Sequence, residues 1–290
     1  MNQLSNYYKC ERDAYIEFTH YANSKLKNTV CFVLNLEYLK VANANDNISA
    51  VITTSELSKY VNKEKGLVIS NNPKRDFFNI HNMLLNDGFN SLNIEHYIDP
   101  SVKIADTVKI KGNVRIGKNV VVEGYTVINE NTIIEDDTYI AENVVIGARG
   151  MHNTMIDGKF IRVEDAGGVC IGKGCEILAG AIIQKSYFSE FTKIGDQTKV
   201  SVSVKVGHGC SIGERTLLAG NAQLAGYNII GNDVWIGPSS VIAHGLTIGN
   251  KAQIKLGSVV VKNIKDGEEV SGNFAYNHLK RIRNFVKEQR

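Results

Sequence analysis

The chain has 290 residues, 43% of them hydrophobic, and a formal net charge of +3 from 33 basic and 30 acidic side chains. That length supports one large or two smaller folded units with an ordinary core, and a charge so near balance argues against a nucleic-acid partner. The five cysteines are odd in number and lack paired metal-ligand spacing, so they read as reduced thiols and not as a disulfide framework. No apolar run approaches the roughly 18 residues of a membrane span. The opening MNQLSNYYKCERDAY has no apolar stretch behind its first charges, which fits a cytoplasmic protein.

In chain order, residues 1–28 form an N-terminal segment in which Tyr15, Phe18 and Tyr21 have the spacing of one helix face. Residues 29–96 alternate short β-rich runs (TVCFVLNL, ISAVITTS, KGLVISNN) with helical stretches (YLKVANAN, FFNIHNMLLNDG), the pattern of a small α/β domain. Residues 97–265 then fall into sixes. Ile98, Ile104, Ile110, Ile116, Val122 and Ile128 open an unbroken aliphatic series, and Ile194, Val200, Val206, Ile212 and Leu218 open a second one. Six is not a helical period, and one inward aliphatic per hexad separated by Gly, Asn or Asp describes short flat strands between turns. Three such sides make a coil of about 18 residues, and coils stack as parallel strands about 4.8 Å apart. The expected fold is mostly β, a parallel β-helix of about nine coils behind an α/β head.

The phase breaks between Ile146 and Ile194. GARGMHNTMIDGKFIRVEDAGG is a polar insertion leaving one edge of the coil, Ile171, Ile177 and Ile183 run in another phase, and an excess in QKSYFSEFTK restores the first. His152, inside the insertion, is expected on an exposed loop, a place at the site being the alternative, and His20, His81, His96 and His278 follow no pattern.

Two histidines do. His208 in VKVGHGCSIG and His244 in VIAHGLTIG each stand two positions after a phase aliphatic and 36 residues apart, two coils. They should project from one corner, about 10 Å apart at two strand spacings. Gly226 stands midway, where a backbone N–H is exposed between them and can receive an oxyanion. A zinc site would need three histidines from adjacent coils. At that spacing His208 and His244 share no ion and no third histidine is in phase, so no metal is expected. Residues 266–290 end in a basic amphipathic helix with Leu279, Ile282 and Val286 on one face.

On these residues the chain resembles the UDP-3-O-acylglucosamine N-acyltransferases of lipid A synthesis. The match rests on Phe32-Val-Leu-Asn35-Leu-Glu-Tyr38, on LVISNNPKRDFF, and on the two histidine segments. The resemblance implies a left-handed coil, a homotrimer, and uridine stacked between Phe32 and Tyr38 with Asn35 reading a base edge. It also implies His208 as general base, Gly226 as backbone oxyanion donor and His244 in support. The implied reaction is N-acylation of a UDP-linked amino sugar by an acyl thioester, acyl-CoA or acyl carrier protein serving as co-substrate and no cofactor being tightly bound. The product would enter lipid A or a surface polysaccharide such as O-antigen. A catalytically silent nucleotide-sugar-binding scaffold is the alternative.

The departures are specific. Ser201 and Val202 stand where the family has an Asp-Asn pair before its histidine, so an acid that orients His208 must come from elsewhere. Gln184-Lys185 replaces an Asp-Arg pair. The short tail SGNFAYNHLKR resembles the Gly-Asn-Pro-Ala ending of small acetyl-CoA-dependent hexapeptide enzymes, with Phe274 in place of the proline.

Overall fold

The computed structural model describes residues 2–156, 158–272 and 278–288. The head is a four-stranded parallel sheet in the order β1 (Phe18–Thr19), β2 (Thr29–Phe32), β3 (Ile48–Thr53), β4 (Gly66–Ile69). Helices α1 (Leu36–Ala44) and α2 (Ser55–Ser58) lie in the crossovers, and α3 (Pro73–Asn86) follows β4. Val30, Ala50, Val51, Ile52 and Val68 are fully buried, as a parallel sheet covered on both faces requires. Asn35 begins α1 by accepting the Tyr38 N–H at 2.9 Å, and Asn72 begins α3 with Pro73 in its first turn.

The helix expected through Tyr15, Phe18 and Tyr21 does not form. Phe18 and Thr19 pair instead with Thr29 and Val30, and Arg12 bridges Leu67. The open edge of β2 offers unpaired backbone groups, and an extended segment satisfies them where a helix could not.

From Tyr97 to Val270, strands of two to four residues stack into three parallel sheets of eight, eight and nine strands. Val206 lies beside Leu224 and Leu224 beside Ile242, one coil per step. The phase aliphatics form one continuous core, with Ile116, Ile134, Ile177 and Ile236 fully buried, each worth about 1.5–3 kcal/mol. Threonine is tolerated inside because its hydroxyl meets a carbonyl: Thr126 donates to Ala141 at 2.8 Å and Thr138 to Gly172 at 2.9 Å. The third residue after the inward aliphatic turns many of the corners at positive φ, as at Asn119, Asn131, Asp137 and Asn143.

Two segments leave the coil. Ile134, Ile140 and Ile146 pair with Ile171, Ile177 and Ile183, so the chain between Ala148 and Gly168 is extruded at one corner. It carries an antiparallel hairpin of Asn153–Ile156 and Lys159–Arg162. The base of the hairpin is fixed to α3. Asn82 donates to the Arg162 carbonyl at 2.9 Å and accepts from the Glu164 N–H at 3.0 Å, while His81 Nε2 donates to the Glu164 carbonyl at 2.8 Å. Burial pushes His81 down to about 4, so it stays neutral in this role. The second extruded loop carries Phe188, fully buried against His20, Tyr21 and Phe77 of the head, with centroids 4.6, 5.0 and 6.0 Å away.

Helix α4 (His278–Glu288) closes the described chain, with Leu279 64% and Val286 46% exposed, so the expected apolar face is not covered at those positions. Phe274 and the rest of residues 273–277 lie outside the described residues. No described helix is long and apolar enough to cross a membrane.

Candidate functional site

Strands Ile182–Gln184, Lys205–Val206, Gln223–Leu224 and Val241–Ile242 are neighbours in one sheet, and the chain turns the same corner after the last three. His208, Gly226 and His244 occupy that corner on successive coils. They line a groove of about 480 Å³ floored by Ile182, Lys205, Gln223 and Val241, with Met151 of the insertion at its edge.

The structure brings the two histidines closer than their coil spacing. Their ring centroids are 6.0 Å apart, where two strand spacings gave about 10 Å. The rings lean together over Gly226, which has no side chain to hold them off. A Cβ at position 226 would lie 2.3 Å from His208 Nε2. The Gly226 carbonyl accepts from Gly245 N–H at 3.0 Å, and its own N–H has no hydrogen-bond partner among the described residues. The next residue, Tyr227, turns the corner at φ 58° and lays its ring over Gly209, itself at φ 64°. A Cβ on Gly209 would come within 2.6 Å of that ring, so the turn holding His208 needs glycine for both its conformation and its space.

His208 is half-buried and boxed by rings. His152 lies at 4.6 Å and 88°, Tyr187 at 5.3 Å, and Tyr227 at 5.4 Å and 82°. Burial, followed by the neighbouring His152 and His244, pushes its pKa down to about 4, so it is a neutral proton acceptor at pH 7. Burial likewise raises the phenols of Tyr187 and Tyr227, which remain neutral.

His152 is not on an exposed loop. Its side chain is 6% exposed, and its Nδ1 hydrogen-bonds the Asp165 carboxylate, whose side chain is 2% exposed. Arg149 Nε donates to the other Asp165 oxygen at 2.5 Å. Burial opposes the charge on Asp165, but His152 and Arg149 together outweigh it and hold the carboxyl below its usual range. The sequence carries no signal for this contact, because the insertion has no repeat phase that would place His152 on a corner. Ser201 and Val202 make no hydrogen bond to His208, and Val202 is 49% exposed. Lys185 is drawn aside into an ion pair with Glu130, its own side chain buried and that of Glu130 45% exposed. No set of three His, Cys, Asp or Glu among the described residues could hold a metal ion.

In the head, Phe32 is partly buried against Phe77 at 5.0 Å, and Tyr38 is 59% exposed on α1. No ring contact joins Phe32 to Tyr38 among the described residues. The Asn35 carbonyl oxygen is spent on the α1 cap, and its amide NH2 has no hydrogen-bond partner among the described residues. Phe32 does reach the coil through rings: Tyr21 lies 6.4 Å from Phe32, and its hydroxyl is 2.6 Å from that of Tyr187, which packs on His208.

The family of bacterial transferase hexapeptide proteins (six repeats) matches residues 113–148. The UDP-3-O-acylglucosamine N-acyltransferase of Herminiimonas arsenicoxydans is 33% identical over 128 residues, 44% of this chain and 36% of that protein. That of Campylobacter lari is 33% identical over 118 residues, 41% of this chain and 36% of that protein. The chain thus spans a little over a third of the length of these relatives. Among solved structures, Francisella novicida UDP-N-acetylglucosamine acyltransferase superimposes with a TM-score of 0.50 at 21% identity, over 66% of this chain and 71% of its own. The Arabidopsis enzyme of the same name gives 0.50 at 23% identity, over 65% and 77%. These likenesses show the fold, a left-handed parallel β-helix.

Proposed function

We infer that this hexapeptide-repeat chain is an N-acyltransferase that moves an acyl group from a thioester to the amine of a UDP-linked amino sugar. The observation that carries the reading is the contact of a neutral, half-buried His208 with Gly226 and His244 in one groove.

An amine must lose a proton as it attacks a thioester carbonyl. His208 takes that proton while the C–N bond forms, and the Gly226 N–H receives the negative charge on the carbonyl oxygen. When the C–S bond breaks, the imidazolium returns the proton to sulfur. A thiol titrates near 8.5, so an imidazole with a pKa of about 4 gives the proton up readily. His244, exposed at the rim, binds substrate.

Uridine stacks at Phe32 and Tyr38, and the free amide of Asn35 can donate only to a base carbonyl. The thioester is carried by coenzyme A or an acyl carrier protein, and the product belongs to lipid A or a surface polysaccharide. Exposed Leu217, Ile229, Trp235, Val241 and Val259 give the coil apolar outer faces consistent with a homotrimer.

Incubation with UDP-amino sugars and acetyl-CoA or acyl-carrier thioesters should yield an amide-bearing nucleotide sugar, read by mass. His208→Ala should lower the rate by about 100-fold or more. An undiminished rate in that variant contradicts the assignment, and nucleotide binding without turnover supports a silent scaffold instead.

A further inference from the structure

Among the described residues no hydrogen bond fixes the His208 ring, although a general base must hold its nitrogen toward the proton it removes. Three kinds of neighbour pack on it. The loop of residues 185–190 offers Tyr187 and the more distant Glu190, the following coils offer Tyr227 and His244, and the insertion offers His152 backed by Asp165. His152 is the nearest ring, and it carries its own carboxylate.

That pair is costly to build. Two ionisable side chains, 6% and 2% exposed, are enclosed in an insertion whose Met151 and Phe160 are 91% and 73% exposed. Burying a carboxylate in a surface excursion opposes folding unless its partners are held in place. Here they are held from both sides: Arg149 takes the second Asp165 oxygen, and the preceding residue, Glu164, is tied through its backbone to His81 and Asn82 of α3. An unbroken path runs from the head helix through Glu164, Asp165 and His152 to His208.

We propose that His152 and Asp165 are the positioning pair of His208, bringing from the insertion the ring wall and the carboxylate that Ser201 and Val202 do not supply. The proposal rests on His208 as the base of the acyl transfer. The edge-to-face contact at 88° fixes the His208 ring, Asp165 holds the His152 ring through its Nδ1, and the two residues act on His208 with opposite sign. His152 disfavours a proton on His208 and Asp165 favours one.

The test is His152→Gln and Asp165→Asn in the full chain, with the His208 imidazole followed by NMR of isotope-labelled histidine, alongside kcat and KM. The midpoint of His208 should rise in His152→Gln and fall in Asp165→Asn, each by about half a pH unit or more. Each variant should lose about 10- to 100-fold in kcat with KM nearly constant. A purely structural role would not move the two midpoints in opposite directions. Unshifted midpoints, or wild-type kcat in both variants, overturn the proposal. Opposed shifts in a protein whose His208→Ala variant keeps full activity would sink the base assignment and leave the coupling standing.

Discussion

Gly226 sets the geometry of the histidine corner by what it lacks. A methyl group there would meet His208 Nε2 at 2.3 Å, and the imidazole is the part able to yield, by turning about its side-chain torsions. Gly226→Ala should therefore leave the thermal midpoint within a few degrees of wild type and lower kcat by about 100-fold, the cost of misplacing the proposed base by about 1 Å. A variant with wild-type kcat would show that the ring position does not matter. The spacing in the sequence placed both histidines on one corner, because a hexad fixes where each Cα falls. It could not give the 6.0 Å ring separation, since side-chain torsions are chosen by neighbours two coils away.

Elements were legible in proportion to their periodicity. The hexads of the coil and the β-branched runs at Thr29–Phe32 and Ile48–Thr53 announce themselves because burial repeats at fixed intervals. The N-terminal segment did not, because its extended form depends on pairing with β2. The extruded loops were visible only as broken phase, yet they join the two halves of the molecule. Phe188 is the clearest case, a residue of the second extruded loop seated among head aromatics. Phe188→Ala should cost about 3–5 kcal/mol, read as a lowered urea midpoint. A loss below about 1 kcal/mol would mean that the head does not depend on this anchor. His152 escaped the sequence for the same reason: its place is decided by Asp165 and by the attachment to α3.

At the scale of the whole molecule, one apolar cluster spans the head and the extruded loops, including Phe77, Ile80, Val163 and Phe188. A line of rings runs from Phe32 through Tyr21 and Tyr187 to His208. The arrangement fits a division of labour in which the head holds a nucleotide and the rigid coil holds the reacting groups, with the insertion fastened to both. Under the proposed function, the acyl thioester lies in the groove beside His208. The most direct measurement is a crystal structure of the protein with coenzyme A and a UDP-amino sugar bound. The account predicts the donor sulfur in the groove between His208 and Gly226, with the sugar amine about 3–3.5 Å from the His208 ring; a donor sulfur bound away from His208 would contradict it.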